Sequence, residues 1–186
     1  MNREKLAVIF PGIGYHTDKP LLYFAKKLAG KAGYEIKELP YKHFPKNVKG
    51  DKTKMEEAFQ CALDQTEEML SDVAFDRYKE ILFISKSIGT VVAASYAERH
   101  ALETRNVYYT PVGEFFSMNV REGIVFHGTK DGWVSTDTVK DGCDRWNLPL
   151  FITEGADHSM ETGDVRADLE NLKLIMEQTS DYLKRK

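Results

Sequence analysis

Three side chains, far apart along the chain, stand out for the chemistry they would support together. Ser87 sits in Ser85-Lys86-Ser87-Ile88-Gly89-Thr90, between an apolar run and a helical stretch rich in small residues. Asp131 follows a second apolar run, in His127-Gly128-Thr129-Lys130-Asp131, and His158 follows a third, in Gly155-Ala156-Asp157-His158. A serine hydroxyl is a weak nucleophile unless it is held exposed with a base within hydrogen-bond reach. An imidazole supplies the base. A carboxylate keeps that imidazole in one tautomer and stabilises its protonated form. The order Ser, Asp, His, each just past a predicted strand, points to acyl transfer through a serine.

Taken singly, each residue has a plainer role. Serine is common in strand-to-helix turns, Asp131-Gly132 is a turn signal, and His158 alone reads as a surface loop residue. The conjunction carries the chemical reading. Of the other histidines, His100 is near a helix end, where it suits the dipole. His127 ends a strand and is expected to fix a loop by hydrogen bonding. His16 and His43 lie in loops and are candidates for touching substrate. Asp157 rivals Asp131, but a residue adjacent to His158 in an extended loop points away from it.

The elements that must position these groups follow from periodicity. Strands are predicted at Leu6–Phe10, Tyr34–Leu39, Ile81–Ile84, Val107–Thr110, Ile124–Phe126 and Leu148–Ile152. Helices are predicted at Leu21–Ala32, Met55–Val73, Thr90–Ala101 and Thr136–Trp146. A last helix carries the stripe Val165, Leu169, Leu172, Met176, Thr179 and Leu183. This alternation predicts an α/β three-layer sandwich, with a mostly parallel central sheet of about six strands and helices on both faces. Ligands of such sheets bind outside the carboxyl ends of the strands, where Gly12, Ser87, Asp131 and His158 all fall. The 186 residues fit one domain over residues 1–186, large enough to bury a core without disulfides or metals.

On its three chemical stretches and in its element order, the chain resembles the α/β-hydrolase superfamily. The resemblance implies a minimal fold without a cap, because only a short segment follows Pro111-Val112-Gly113, where relatives often insert one. It implies Ser87 as nucleophile on a sharp elbow, His158 as base and Asp131 as its carboxylate. It places the oxyanion donors at the N–H of Ile88 and of Ile13, with Gly12 the next choice. Two departures stand in these motifs: Ser85 where glycine is usual, and Pro11 where many relatives carry histidine. Phe115, Phe116 and Met118 either close the core or line an acyl pocket, and His16 is a further substrate-binding candidate. The implied activity is hydrolysis of a carboxylic ester or thioester through an acyl-serine. Acyl transfer to another acceptor and non-catalytic ligand binding on the same scaffold are alternatives. A flavodoxin-like phosphate module ranks last, since its loop follows the first strand and Ser85–Thr90 follows the third.

Composition narrows the partners. A net charge of −3 gives no global signal for nucleic acid or an anionic membrane. The basic stretch from Tyr41 to Lys54 is either a solvated loop or a rim that attracts an anionic substrate. Cys61 and Cys143 fit neither zinc spacing nor CxxC and read as reduced thiols. The first apolar run ends at Pro11-Gly12, too early for a membrane span, so a cytoplasmic protein is expected. Gly12-x-Gly14 does not extend to a dinucleotide fingerprint, since Thr17 stands where the third glycine belongs. No Walker A or His-Glu-x-x-His motif occurs. No metal or organic cofactor is expected, and the expected partner is a small-molecule acyl ester or thioester.

Overall fold

The six expected strand regions become the six strands of one parallel sheet in the computed structural model, which describes residues 4–185; Met1 to Arg3 of the opening stretch and Lys186 lie outside the described residues. The elements are β1 (Lys5–Phe10), α1 (Pro20–Lys31), β2 (Glu35–Glu38), α2 (Lys52–Leu70), β3 (Glu80–Lys86), α3 (Ile88–Arg99), β4 (Arg105–Tyr109), β5 (Gly123–Gly128), α4 (Thr136–Trp146), β6 (Leu150–Thr153) and α5 (Val165–Lys184). The strand order is β2-β1-β3-β4-β5-β6, and every neighbouring pair is parallel.

The sequence pattern explains the layering. A parallel strand covered on both faces needs apolar residues at every position. In β1, Ala7 and Ile9 face one way and Leu6, Val8 and Phe10 the other, and all five are buried. On the first face, Leu21, Leu22 and Ala25 of α1 and Ile175 and Leu183 of α5 meet Ala7, Ile9, Leu82, Ile84 and Val107. On the second, Ala62 and Leu63 of α2 and Val92, Ala93 and Tyr96 of α3 pack on Leu6, Val8, Phe10 and Phe83. Val139 and Cys143 of α4 close the same face beside Tyr108 and Val125. The two edge strands are only partly buried, β2 with the alternating Glu35-Ile36-Lys37-Glu38 and β6 with Leu150-Phe151-Ile152-Thr153.

Helix starts obey local chemistry. Asp51 caps α2 by accepting from Lys54 N–H, Ser135 caps α4 from Thr138 N–H, and Asp164 caps α5 from Arg166 and Ala167 N–H. One expectation needs correction. The apolar stripe of α5 is buried only in its later part: Thr179 and Leu183 are enclosed, whereas Val165 is 73% and Leu169 62% exposed. Helix α1, which packs against α5, has 12 residues against its 20. At 1.5 Å per residue it is too short to cover the whole stripe.

Topology decides where a site can form. The chain winds from β1 outward to β2, then returns to place β3 on the other side of β1. The loops after β1 and β3 therefore part above the sheet and leave a crevice at its carboxyl edge. No described helix is long and apolar enough to cross a membrane.

Candidate active site

Ser87 lies between the last residue of β3 and the first of α3, with φ 54° and ψ −127°. A side chain in this left-handed region costs on the order of 1–3 kcal/mol, which the surroundings must offset. They do so by close packing. At Gly89, a Cβ would stand 2.3 Å from the Phe10 carbonyl oxygen and 2.7 Å from that of Pro11. Glycine thus lets the head of α3 press against the end of β1. Thr90 Oγ1 donates to the Ser87 carbonyl at 2.7 Å and fixes the turn from the helix side. Ser85 is fully buried in β3, where its hydroxyl donates to the Val107 carbonyl at 3.4 Å, so a small polar residue fits where glycine is usual.

His158 and Asp131 arrive on the loops after β6 and β5. At Gly128, a Cβ would come within 2.3 Å of the Ala156 carbonyl oxygen, so only glycine lets these two loops touch. His158 Nε2 is 2.8 Å from Ser87 Oγ, and His158 Nδ1 is 2.7 Å from Asp131 Oδ2. The other carboxylate oxygen, Oδ1, accepts from Trp133 N–H at 2.8 Å. Burial pushes the Asp131 carboxyl up. The His158 hydrogen bond and charge, with the Trp133 N–H, outweigh that and leave it below the ordinary carboxylate range. Burial also pulls His158 below the ordinary histidine value, and the bond to Asp131 opposes it only in part. The imidazole is thereby kept neutral and able to accept a proton at neutral pH.

Ile88 and Ile13 both line the space in front of Ser87. Ile88 heads α3, where the first amides have no carbonyl partner within the helix. Ile13 lies in the loop after β1 and makes no backbone hydrogen bond with its N–H among the described residues. Gly12 N–H instead donates to the Tyr15 carbonyl at 3.2 Å. Ser87, His158, Ile13 and Ile88 together line a cavity of about 810 Å³ at the carboxyl edge of the sheet.

Solved structures share this architecture. The esterase Pf2001 of Pyrococcus furiosus is 15% identical, with 98% of this chain and 83% of that one covered and a TM-score of 0.67. Est1E of Butyrivibrio proteoclasticus, in a structure with ferulic acid bound, is 13% identical over 98% and 89% of the two chains, at 0.69. A serine hydrolase without a lid from Xanthomonas campestris is 10% identical over 100% and 85%, at 0.64. The chain has the α/β-hydrolase fold. No protein-family model matches it, and no curated protein matches it in sequence.

In this α/β-hydrolase fold no cap stands over the strand ends among the described residues. The segment between β4 and β5 holds only a short 3₁₀ turn, Gly113–Ser117. Its Phe115 and Phe116 point into the core, buried against Tyr108, Val139 and Cys143, and do not line the cavity. The Tyr108 and Phe115 rings lie 4.6 Å apart, tilted by 54°, and the pair closes the core between the sheet and α4. Met118 lines a separate, mainly apolar groove of about 340 Å³ with Met55, Phe59, Ile88, Val91 and Val112, where Lys52, Glu56 and Glu114 supply the charged part of the lining. Met55 and Ile88 border both spaces. His16 is exposed, accepts from Asp18 N–H at 3.3 Å and stays outside the cavity.

Other residues complete the site, and of these Lys86, Lys130 and Trp133 carry no role in the sequence reading. Lys86, at the end of β3, is 1% exposed. Its Nζ donates to Thr110 Oγ1 at 2.8 Å and to the His158 carbonyl at 2.7 Å, and lies 4.6 Å from the centre of the Tyr15 ring. Burial brings its pKa from 10.5 down to about 7, against the pull of Asp131, Asp157 and Glu161. A lysine closing the strand built on the apolar run Ile81–Ile84, just before a candidate nucleophile, was the available signal. The loop between β2 and α2 supplies Pro45, Lys46, Val48 and Lys49 to the cavity wall, and the loop after β5 supplies Lys130 and Trp133. Asp157 turns away from the imidazole, its Oδ1 accepting from the N–H groups of Ser159 and Glu161. His127 is fully buried; its Nε2 is 3.0 Å from Thr136 Oγ1 and its Nδ1 3.8 Å from Asp131 Oδ2.

Proposed function

We propose that this chain is a serine hydrolase that cleaves a carboxylic ester or thioester through an acyl-serine intermediate. The observation that carries the reading is the unbroken run of hydrogen bonds from Ser87 Oγ through His158 to Asp131 at the carboxyl edge of the sheet. Its scaffold is that of the esterases it resembles. Ser87 Oγ bonds to the substrate carbonyl carbon as His158 Nε2 takes the hydroxyl proton. Asp131 stabilises the imidazolium, and the Ile88 and Ile13 N–H groups receive the oxyanion. The bond to the leaving oxygen or sulfur then breaks, and His158 returns its proton to that atom. Water, activated by the same imidazole, attacks the acyl-serine; the carboxylic acid departs and Ser87 regains its proton.

A fluorophosphonate probe tests the nucleophile and short p-nitrophenyl esters test the turnover. Wild type should label at Ser87 and release p-nitrophenol, and Ser87→Ala should do neither. Equal labelling of both proteins, or equal turnover by both, would remove Ser87 from the mechanism. Product analysis with competing alcohols and amines separates hydrolysis from acyl transfer.

A further inference from the structure

The cavity at Ser87 and the groove that shares Met55 and Ile88 with it differ in chemistry, and the difference points to a substrate class. Its lining holds four lysines, Lys46, Lys49, Lys86 and Lys130, against one carboxylate, Asp157. The whole chain carries −3, so this is a local reversal of sign. Lys86 is committed to holding Thr110 and the His158 carbonyl. The other three pair with no carboxylate among the described residues. By contrast, Lys54 of the same basic stretch does pair, with Asp51 at 3.8 Å. Lys49 is nonetheless placed: its Nζ lies 5.6 Å from the centre of the Trp133 ring, and a Cβ on Gly132 would meet it at 3.2 Å. Trp133 in turn lies 5.4 Å from the His158 ring. The cationic wall is therefore next to the imidazole, whereas the apolar groove of Met55 and Met118 opens beside Ile88.

In an acyl-serine mechanism the leaving atom must take its proton from His158, so the leaving group lies on the imidazole side. The acyl carbonyl points to the Ile88 N–H, and its chain runs toward the apolar groove. We infer that the preferred substrate is an ester or thioester with an apolar acyl chain and a leaving group that bears negative charge, as carboxylate or phosphate, received by Lys49, Lys130 and Lys46 around Trp133. This rests on the serine-hydrolase reading for its orientation.

The test compares butyrate esters of 3-hydroxybenzoate, of 3-hydroxyphenyl phosphate and of the neutral 3-hydroxybenzamide. At low ionic strength kcat/KM for an anionic ester should exceed that for the amide-bearing one by about tenfold, as expected where clustered charge focuses an oppositely charged ligand. Whichever anion gives the larger ratio distinguishes carboxylate from phosphate. The ratio should shrink toward one as salt rises to about 0.5 M, where screening is nearly complete at these distances. It should also fall several-fold in Lys49→Met and in Lys130→Met, whereas Lys173→Met, on the exposed side of α5, keeps it. A ratio of one in wild type, or a preference insensitive both to salt and to Lys49→Met, overturns the inference. Calorimetric binding of the matching non-hydrolysable amides, N-butyryl-3-aminobenzoate and N-butyryl-3-aminobenzamide, reads the same preference without catalysis. Absence of all ester turnover alongside selective binding of the anionic amide would strike the hydrolase reading alone. Equal binding of the two amides would strike this inference.

Discussion

The ammonium of Lys86 holds the backbone of His158: Nζ donates to the His158 carbonyl oxygen at 2.7 Å, and Thr110 Oγ1 donates to the same oxygen at 3.0 Å. Lys86 immediately precedes the candidate nucleophile, so one residue ties the loop carrying the imidazole to the strand carrying the hydroxyl. Thr110, with φ 42°, braces the same point from the end of β4. Without such a tie the imidazole would depend on the conformation of a surface loop. In the proposed mechanism Lys86 touches no reacting atom and acts as a positioning residue.

Lys86→Met keeps the length of the side chain and removes the tie and the charge. The His158 carbonyl still has the Thr110 hydroxyl, so the protein should fold. Loosening the imidazole by a fraction of an ångström to an ångström should lower kcat/KM by about 100-fold. A purely structural loss would lower the amount of folded protein and leave the pH profile in place. The prediction is the reverse: circular dichroism and melting stay close to wild type, while the acid limb of kcat/KM moves to higher pH. A nearby cation disfavours the imidazolium, so its removal raises the histidine pKa. An unmoved limb would deny the electrostatic part of this role.

In the wild type the sign is fixed by the base. In the proposed mechanism His158 must be neutral to accept the Ser87 proton, and its pKa is held below 6.5, first by burial and further by Lys86, against Asp131. Activity should be full above that depressed value and disappear as pH falls through it. The acid midpoint of kcat/KM should therefore lie below 6.5. Lys86 loses its proton near pH 7, so imidazole and ammonium titrate as a pair and the limb should be broader than that of a single group. Asp131, Asp157, Glu161, Tyr15 and His127 are the other ionisable groups facing the pair. A single sharp limb at or above 6.5 contradicts this electrostatic account.

Asp131 and Asp157 compete for the same part on sequence grounds, and their hydrogen bonds separate them. Asp131→Asn removes the acceptor that fixes the His158 tautomer and should cost about 10⁴-fold in kcat, by analogy with serine-protease triads. Asp157→Asn removes an acceptor that orders the loop by taking two backbone N–H groups, and should cost far less. Steady-state kinetics on a p-nitrophenyl ester decides between them. Comparable losses in the two variants would mean that the loop, and not the carboxylate at Nδ1, governs the reaction.

Much of this arrangement was legible because parallel strands buried on both faces leave an unmistakable apolar run, and the residue just past each run falls at the carboxyl edge. Leu6–Phe10 and Ile81–Ile84 are such runs, and with them came the positions of Gly12 and Ser87. Phe115 and Phe116 were ambiguous because an aromatic pair after a strand has the same composition whether it fills the core or faces a ligand. Only the packing against Tyr108 and α4 distinguishes the two. Lys86 was illegible for a different reason: lysine in sequence implies solvent, and its burial follows from three distant partners, Thr110, His158 and Tyr15, that no local pattern brings together. The wall from Pro45 to Lys49 likewise depends on where a loop without periodicity comes to rest. The exposed start of α5 escaped because a helical stripe records which face is apolar, not how far its partner extends.

Gly89 offers the most direct test of the elbow as a packed structure. A methyl group there would sit 2.3 Å from the Phe10 carbonyl oxygen, a backbone atom that cannot move without shifting β1. Gly89→Ala should destabilise the protein by about 1–3 kcal/mol or more, the range seen when atoms are forced into a packed interior. It should also reduce fluorophosphonate labelling beyond what the loss of folded protein explains, because displacing the head of α3 moves the Ile88 N–H and the Ser87 hydroxyl together. Gly30, near the end of α1, is the control. Nothing lies within 4 Å of a Cβ built there, so Gly30→Ala should be neutral or stabilise by up to about 1 kcal/mol through helix propensity. Urea melts of the two variants, read beside labelling rates normalised to folded protein, measure both effects. A Gly89→Ala protein as stable and as reactive as wild type would show that the close approach of α3 to β1 is dispensable.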